Sequence, residues 1–598
     1  TAYEIGVRLV GSEMCIRDRQ IGNPPWVRPR TDVNALLAEG DPWWQLAVKP
    51  SEVVKVEKRS ATLDLPGIRD LVIKGTSEPV VTVLILGDPI LYPEAGGQPD
   101  SYRAFMSQSW RNGSSAGVQS LIHPESHFAD DKVPGLRAQT YRRLRRHWQF
   151  VNELVLFEID HHVSYGVHVY AAASAVGFWQ ATALYHPDTV LRSFAHDGSG
   201  AEPGYKDPQG RWDQRPHSAR LIWVDDSILA LWRDVLEDPG CPIAATQMLN
   251  TVNKAAIDTL ADLAGHPRVG ALGLESSRGW DEARDRVRGR FVSRWGPAPW
   301  QKAILQGPHL HVATPLYKSP NATLKHNLDW SPTDFEALAP DSLPVTAYKP
   351  SGDELVYDAA FTHWIDPQNE DITYSARDNY RIAWRRMAAN SGERTLTPAI
   401  IPPGAAHVHP VTSIALPRGT GKDLIAVAAT LASLLCDFSI RSAPRSDIHG
   451  STVNRLPVVD LHHPLAGALA LRSLRLNCVT NAYADLWAEC WEEDFLEEEA
   501  ILPQHVAVQM GPKWTPDTPL RRAADRRNAL VELDSLVALM LGVAIEDLCT
   551  VYRTQFAVLY GYDHWEYTYD FNGRLVPNSV LTAWRKRGDK VADLSLIH

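Results

Sequence analysis

Cysteine is scarce, six in 598 residues, and no two form a CxxC pair, which excludes both a disulfide framework and a zinc ribbon. Long apolar runs are also missing. The longest, residues 80–86 and 424–435, fall short of the roughly 18 residues that a membrane span needs, and there is no secretory leader. The expectation is therefore a cytoplasmic protein with no membrane partner. An excess of positive charge is lacking too: the formal net charge is −11. That excludes a protein gripping nucleic acid with its whole surface, because phosphate neutralisation requires Lys and Arg at the interface. Local basic runs remain at residues 137–146, 284–294, 381–386 and 521–527, though any one of them is read first as a plain solvated helix face and only second as a nucleic-acid patch. A phosphate loop at residues 418–422 (RGTGK) fails, since Leu416 stands at its first glycine position and Asp423 follows Lys422. His161-His162, His309 with His311, and His462-His463 lack a third ligand at a defined spacing, so no metal is expected. Pro99-Asp100 has no partner for a nuclease motif.

What is there suffices for a sizeable core: 44% of residues are hydrophobic, and the length allows two to four domains. Residues 1–19 and 594–598 do not read as native. TAYEI, VGSEMCIRDR and LSLIH translate a sequencing adapter and two inverted copies of one transposase end, so the native part is expected to span Gln20 to about Asp593. Residues 20–175 alternate helix and strand. A helix over residues 101–111 precedes a short strand at 118–122, a basic helix at 136–147, and a hairpin of residues 154–159 (LVLFEI) and 166–170 (GVHVY). This is the second half of an α/β sheet. Residues 176–420 carry shorter apolar pieces that read as β-rich around 303–320 and 399–416. Residues 421–593 read as mainly helical, over 424–437, 465–491, 520–542 and 545–554.

Asn23-Pro24-Pro25-Trp26 is the most informative stretch. It follows the remnant of an apolar strand, Ile21-Gly22, and precedes the helix and strand series, where a loop at the carboxyl edge of a parallel sheet carries a site. At these residues the chain resembles the adenine-N6 class of DNA methyltransferases, whose motif is Asp, Asn or Ser, then Pro-Pro, then an aromatic. The resemblance implies that the Asn23 amide oxygen and the Pro24 carbonyl accept both hydrogens of an exocyclic amine. The prolines fix φ, and Trp26 stacks on an adenine swung out of the duplex. Phe157 matches the position of a second aromatic against that base.

Further on, residues 380–403, 454–457 and 526–542 resemble the target-recognition region of Type IIG restriction-modification proteins and of the methylases of BREX- and DISARM-type phage defence. That makes Arg381, Arg385, Arg386, Arg394 and Asn454 the candidates for DNA contact. The implied fold is the C-terminal half of a Rossmann-like methyltransferase sheet, then a mixed α+β target-recognition region and a helical C-terminal part. The implied cofactor is S-adenosylmethionine, bound by residues expected upstream of Gln20. The implied partners are double-stranded DNA and other defence-system subunits. Two alternatives stay open: a restriction-methylation enzyme whose nuclease precedes this segment, and a non-catalytic specificity subunit.

Overall fold

The computed structural model describes residues 18–598 except 49, 51, 95–98, 162, 239, 325, 327, 367–368, 390–391, 444, 502–509, 589–595 and 598. Most of the adapter-like ends thus lies outside the described residues; of the rest, Arg19 opens the first strand and Leu596–Ile597 pairs with Tyr569–Asp570. The chain is mixed α/β and divides into two compact units. The first comprises residues up to His196 with Arg220–Arg233 and Pro239–Met248; the second holds the remainder.

The first unit is built on six strands: β1 (Arg19–Gly22), β2 (Val118–His123), β3 (Leu144–Val151), β4 (Ser164–Tyr170), β5 (Phe178–Leu184) and β6 (Ile222–Val224), in spatial order β1-β2-β4-β3-β5-β6. β1 runs parallel to β2, β4 lies antiparallel between β2 and β3, and β5 runs parallel to β3. The carboxyl ends of β1, β2, β3 and β5 therefore share one edge of the sheet. Four helices follow β1, namely α1 (Val33–Ala38), α2 (Trp43–Leu46), α3 (Glu52–Leu63) and α4 (Ile68–Leu86), with a small core of their own at Leu37, Trp44 and Ile68. α5 (Ser101–Asn112) buries Tyr102, Arg103 and Met106, spaced as one helical face requires.

Two expectations in this unit need correction. The basic helix α7 (Pro134–Arg143), which follows the short α6 (Ser126–Ala129), stops four residues early, and residues 144–147 already belong to β3. The hairpin partner of β4 is accordingly β3, and residues 154–159 are loop. The run RRLRRHWQFV hides the switch because its arginines suit an exposed helix. From His147 onward, however, the side chains alternate: His147 and Gln149 go to one face, Trp148 and Phe150 to the other.

In the second unit, Ala399–Ile401, Arg381–Arg385, Val411–Ala415 and Glu275–Arg278 form a four-stranded antiparallel sheet in that order. Helices Gly421–Ala432, Leu434–Arg441, Ala466–Asn477, Ala484–Cys490, Ala523–Met540 and Ile545–Gln555 follow. The helix expected over 424–437 is two, bent by 57°. The break is at Ser433, whose hydroxyl caps the second helix by accepting from the Cys436 amide. The segment expected over 465–491 is likewise split. One hydrophobic core, from Val269 to Met510, joins the β-rich and helical parts, so no boundary near 420 appears in this division. Among the described residues no single helix is long and apolar enough to cross a membrane.

Inside this core, Ser277 and Ser413 face each other across two strands at 2.6 Å, and His407 Nε2 lies 2.8 Å from Ser413 Oγ. Burial, with the charge of Arg381 beside it, pushes His407 down to about 3. The folded state thus leaves His407 neutral at pH values where the unfolded chain protonates it. The stability it contributes is complete above about 6.5 and is lost as pH falls toward 3. Urea unfolding between pH 7 and 5 should show His407→Gln with a shallower loss of stability than the wild type, by up to about 1.4 kcal/mol per pH unit.

Candidate functional site

Asn23-Pro24-Pro25-Trp26 leaves β1 at the carboxyl edge of the first unit's sheet. Asn23 and Pro25 are exposed, Pro24 is buried and Trp26 is half-buried. The loop is held on three sides. Behind it, β1 pairs with β2 up to Gly22 opposite Leu121. In the middle, the Trp26 indole N–H donates to the Ile122 carbonyl at 3.2 Å. Ahead, the Ser101 amide donates to the Val27 carbonyl at 3.1 Å, and Arg28 pairs with the buried Asp100 at 3.1 Å, tying the chain to the start of α5. The two prolines stiffen what lies between.

Trp26 sits against two aromatics. Its ring centroid is 6.3 Å from Phe157 and 5.9 Å from Tyr165, and those two meet edge-on at 4.9 Å. Ile122, Tyr165, Val167, Trp148 and Phe150 present the same sheet face, and Trp26 and Phe157 close onto it. Phe157 lies in the twelve-residue connection from Asn152 to Val163, not in a strand. The sequence pattern passed over what holds it there. Asn152, fully buried, donates from Nδ2 to the carbonyls of Phe157 and Ile159, both at 3.0 Å, and accepts from the Phe157 amide at 3.1 Å. The single helical turn it begins ends at Val155 with φ 51° and ψ 48°, a left-handed conformation that costs a β-branched residue about 1–2 kcal/mol. The Asn152 clamp offsets that cost.

The other face of the same strands is polar. His123 from β2, His147 and Gln149 from β3, and His168 and Tyr170 from β4 are all buried, as is His127 on α6. His123 and His168 stack at 3.9 Å. Burial pushes His123 down to about 4 and holds His127 and His168 well below the usual imidazole range. Glu125, just past β2, meets His147 Nε2 with one carboxylate oxygen and accepts from Gln149 Nε2 with the other at 2.6 Å. Glu125, His147 and His168 bring one ligand atom each to within 4.8 Å of one another. The signal for this group was present in the sequence as period-two spacing, His147-x-Gln149 and Gly166-x-His168-x-Tyr170, which places each set on one strand face. Of the histidine pairs named in the sequence, His309, His311, His462 and His463 belong to the second unit, His161 lies in the connection between β3 and β4, and His162 falls outside the described residues.

The candidate DNA contacts divide by burial, all within the second unit. Arg381 is enclosed at the centre of the four-stranded sheet, donating to the Ala405 carbonyl, and burial pushes it down to about 9. Arg394 is buried beside Asp534 at 3.3 Å. Neither offers a surface to a duplex, which corrects the expectation for both: Arg381, at the start of its strand, satisfies a backbone carbonyl, and Arg394, outside any strand, satisfies a carboxylate. Arg385, half-buried, bonds Thr397 at 3.3 Å. Arg386, also half-buried, pairs with Asp447 at 3.2 Å and lies 2.7 Å from His409 Nε2. Asn454 is half-buried with its amide oxygen turned inward. The run at residues 284–294 is different: Arg284, Arg286, Arg288 and Arg294 are exposed. Arg278, Arg284 and Arg288 line a shallow cleft there with Asp281 and Phe361.

No protein-family model matches the sequence, and no curated protein does. Solved structures that align with the chain include the type IIG restriction endonuclease BpuSI, at 10% identity over 78% of this chain and 52% of that one, with a TM-score of 0.23. A second is the Type IIL restriction-modification enzyme MmeI in complex with DNA, at 8% identity over 91% and 57%, with a TM-score of 0.31. A third is a nuclease-deletion mutant of the Type ISP restriction-modification enzyme LlaGI in complex with a DNA substrate mimic, at 10% identity over 79% and 42%, with a TM-score of 0.29. The chain spans about half the length of these proteins. Superposition this loose leaves the function to be read from the residues themselves.

Replacing Asn152 by Ala removes three hydrogen bonds and leaves two carbonyls and an amide without that partner, at about 1–3 kcal/mol for a buried group left unsatisfied. Amide hydrogen exchange should accelerate across residues 152–163 while the β3–β4 ladder keeps its protection.

Proposed function

We propose that the first unit is the base-accepting part of a DNA adenine-N6 methyltransferase, acting in restriction-modification or phage defence. The observation that carries this reading is the loop at Asn23: an exposed amide and a proline-fixed carbonyl at the carboxyl edge of a sheet, beside a half-buried indole backed by Phe157 and Tyr165. An exocyclic amine conjugated to a purine is a poor nucleophile because its lone pair is delocalised. Two oxygen acceptors remedy that. With the Asn23 side-chain oxygen and the Pro24 carbonyl each accepting one N6 hydrogen, the nitrogen becomes pyramidal and its lone pair turns away from the ring. No strong base is then required at this site, since the proton leaves after the nitrogen has been alkylated.

Trp26 supplies a stacking surface for the extruded base, worth about 1–3 kcal/mol per base. The Phe157 loop, braced by Asn152, supplies the second wall. The arrangement β1 parallel to β2, with β4 antiparallel between β2 and β3, supports a methyltransferase-like half-sheet.

S-adenosylmethionine is the proposed methyl donor. Among the described residues of this unit, no glycine-rich turn joins a strand to a helix, so these residues fit the acceptor side and do not form a donor cradle. That cradle is proposed to lie beyond β1, whose outer edge is unpaired among the described strands and whose Ile21 is 89% exposed.

The second unit is proposed to bind double-stranded DNA. The exposed Arg284, Arg286, Arg288 and Arg294 favour phosphate contact, and Arg385, Arg386 and Asn454 keep partial exposure for recognition.

Two measurements test the reading. In methylation-competent protein, Asn23→Ala should lower adenine methylation on the order of 10²–10³-fold, the scale of removing one hydrogen-bond partner from a reacting group, while duplex binding is retained. Full methylation by that variant would refute the assignment. Arg284→Ala combined with Arg294→Ala should reduce the salt dependence of duplex binding, with the log–log slope falling by about 0.9 for each phosphate that is no longer neutralised.

A further inference from the structure

The group at Glu125, His147 and His168 is incomplete as a set of hydrogen bonds. Glu125 Oε1 faces both imidazoles. His147 Nε2 reaches it, but His168 Nε2 stops 3.9 Å away, beyond hydrogen-bonding range. The His168 side chain is 0% exposed, and its Nε2 has no hydrogen-bond partner, an unfavourable state for a buried polar atom. The Glu125 carboxylate oxygen, at 3.9 Å, is the anionic group this nitrogen faces.

The neighbours keep these three side chains in place. Gln149 holds the second Glu125 oxygen at 2.6 Å, the kind of supporting bond that orients a ligating carboxylate. His147 and His168 are directly opposite each other in the β3–β4 ladder, with ring centroids 5.2 Å apart. Gly166 occupies the next position on the same face of β4. A Cβ there would come within 2.5 Å of His168 Nε2 and 2.8 Å of Glu125 Oε1, so a side chain at 166 would fill the place where the three groups converge.

We propose that Glu125, His147 and His168 bind one divalent cation of the zinc type, a site separate from the Asn23 loop. Two imidazole nitrogens and one carboxylate oxygen are a donor set that zinc accepts, at about 2.0–2.2 Å from each atom. Tetrahedral bonds of that length set the donors roughly 3.3 Å apart, a spacing reached by small movements of the three side chains. The cation satisfies the orphaned His168 nitrogen and the carboxylate together. It also ties the end of β2 to β3 and β4 on the face opposite the Trp26 cluster, so its role is to brace the edge that carries the site, not to act on substrate.

The test uses the whole chain, stripped with EDTA and titrated with zinc chloride. One equivalent retained after desalting by elemental analysis, and a melting temperature raised by several degrees, are expected. Cobalt(II) in its place should give the visible absorption of a four-coordinate ion. His168→Ala should weaken binding by about a hundredfold or more, whereas exposed His462→Ala should bind as the wild type does. Should His168→Ala fail to fold, the wild-type titration decides alone. Less than a tenth of an equivalent bound, with an unchanged melting temperature, overturns the proposal, as does equal binding by the His168→Ala protein.

Discussion

The pairing of β1 with β2 is the constraint on which the rest depends. Because these strands run parallel, with Gly22 opposite Leu121, the chain must leave β1 on the edge where β2, β3 and β5 also end. The Trp26–Ile122 hydrogen bond and the Arg28–Asp100 pair then fix how the loop lies across that edge. A slip of one residue would turn every side chain of β1 to the other face and carry Asn23 off the edge. The sheet therefore serves as a jig: one face seats the aromatic wall behind Trp26, and the other holds the histidine group, with Glu125 at the tip of β2 between them.

Charge is used inwardly more than the composition suggests. With a net charge of −11, the basic runs look like the places where nucleic acid would be met, yet several are buried. Arg137 donates to the carbonyls of Ala245, His127 and Asp130. Arg526 donates to those of Leu520 and Leu476 and to the Thr314 hydroxyl, and burial pushes it down to about 9. A guanidinium has five donors in a rigid fork, and a fold with many irregular connections has many carbonyls to satisfy. Such arginines stitch loops to helices. Of the four basic runs named from the sequence, that at residues 284–294 keeps most of its guanidinium groups in solvent.

The motif loop, α5, β2 and β4 were legible because each rests on local signals: a Pro-Pro pair after a strand remnant, an apolar stripe at helical spacing, and short β-branched runs. The end of α7 was not, because arginines at residues 142–146 suit a helix and an exposed strand equally, and β3 is selected by its partners β4 and β5. Placing Phe157 near Trp26 was within reach of sequence reasoning; placing it on a strand was not correct, since Asn152 is what draws residues 152–163 into a braced loop. Arg381 and Arg394 misled for the same reason as α7: burial is decided by residues far away in the chain, here Ala405 and Asp534.

The central claim is that an adenine amino group docks on the Asn23 loop. A structure of the protein bound to duplex DNA that carries its target adenine tests this most directly. The account predicts an extruded adenine on Trp26 with N6 within hydrogen-bonding distance of the Asn23 side-chain oxygen and the Pro24 carbonyl. A target base held elsewhere, with Asn23 facing solvent in the complex, would contradict it.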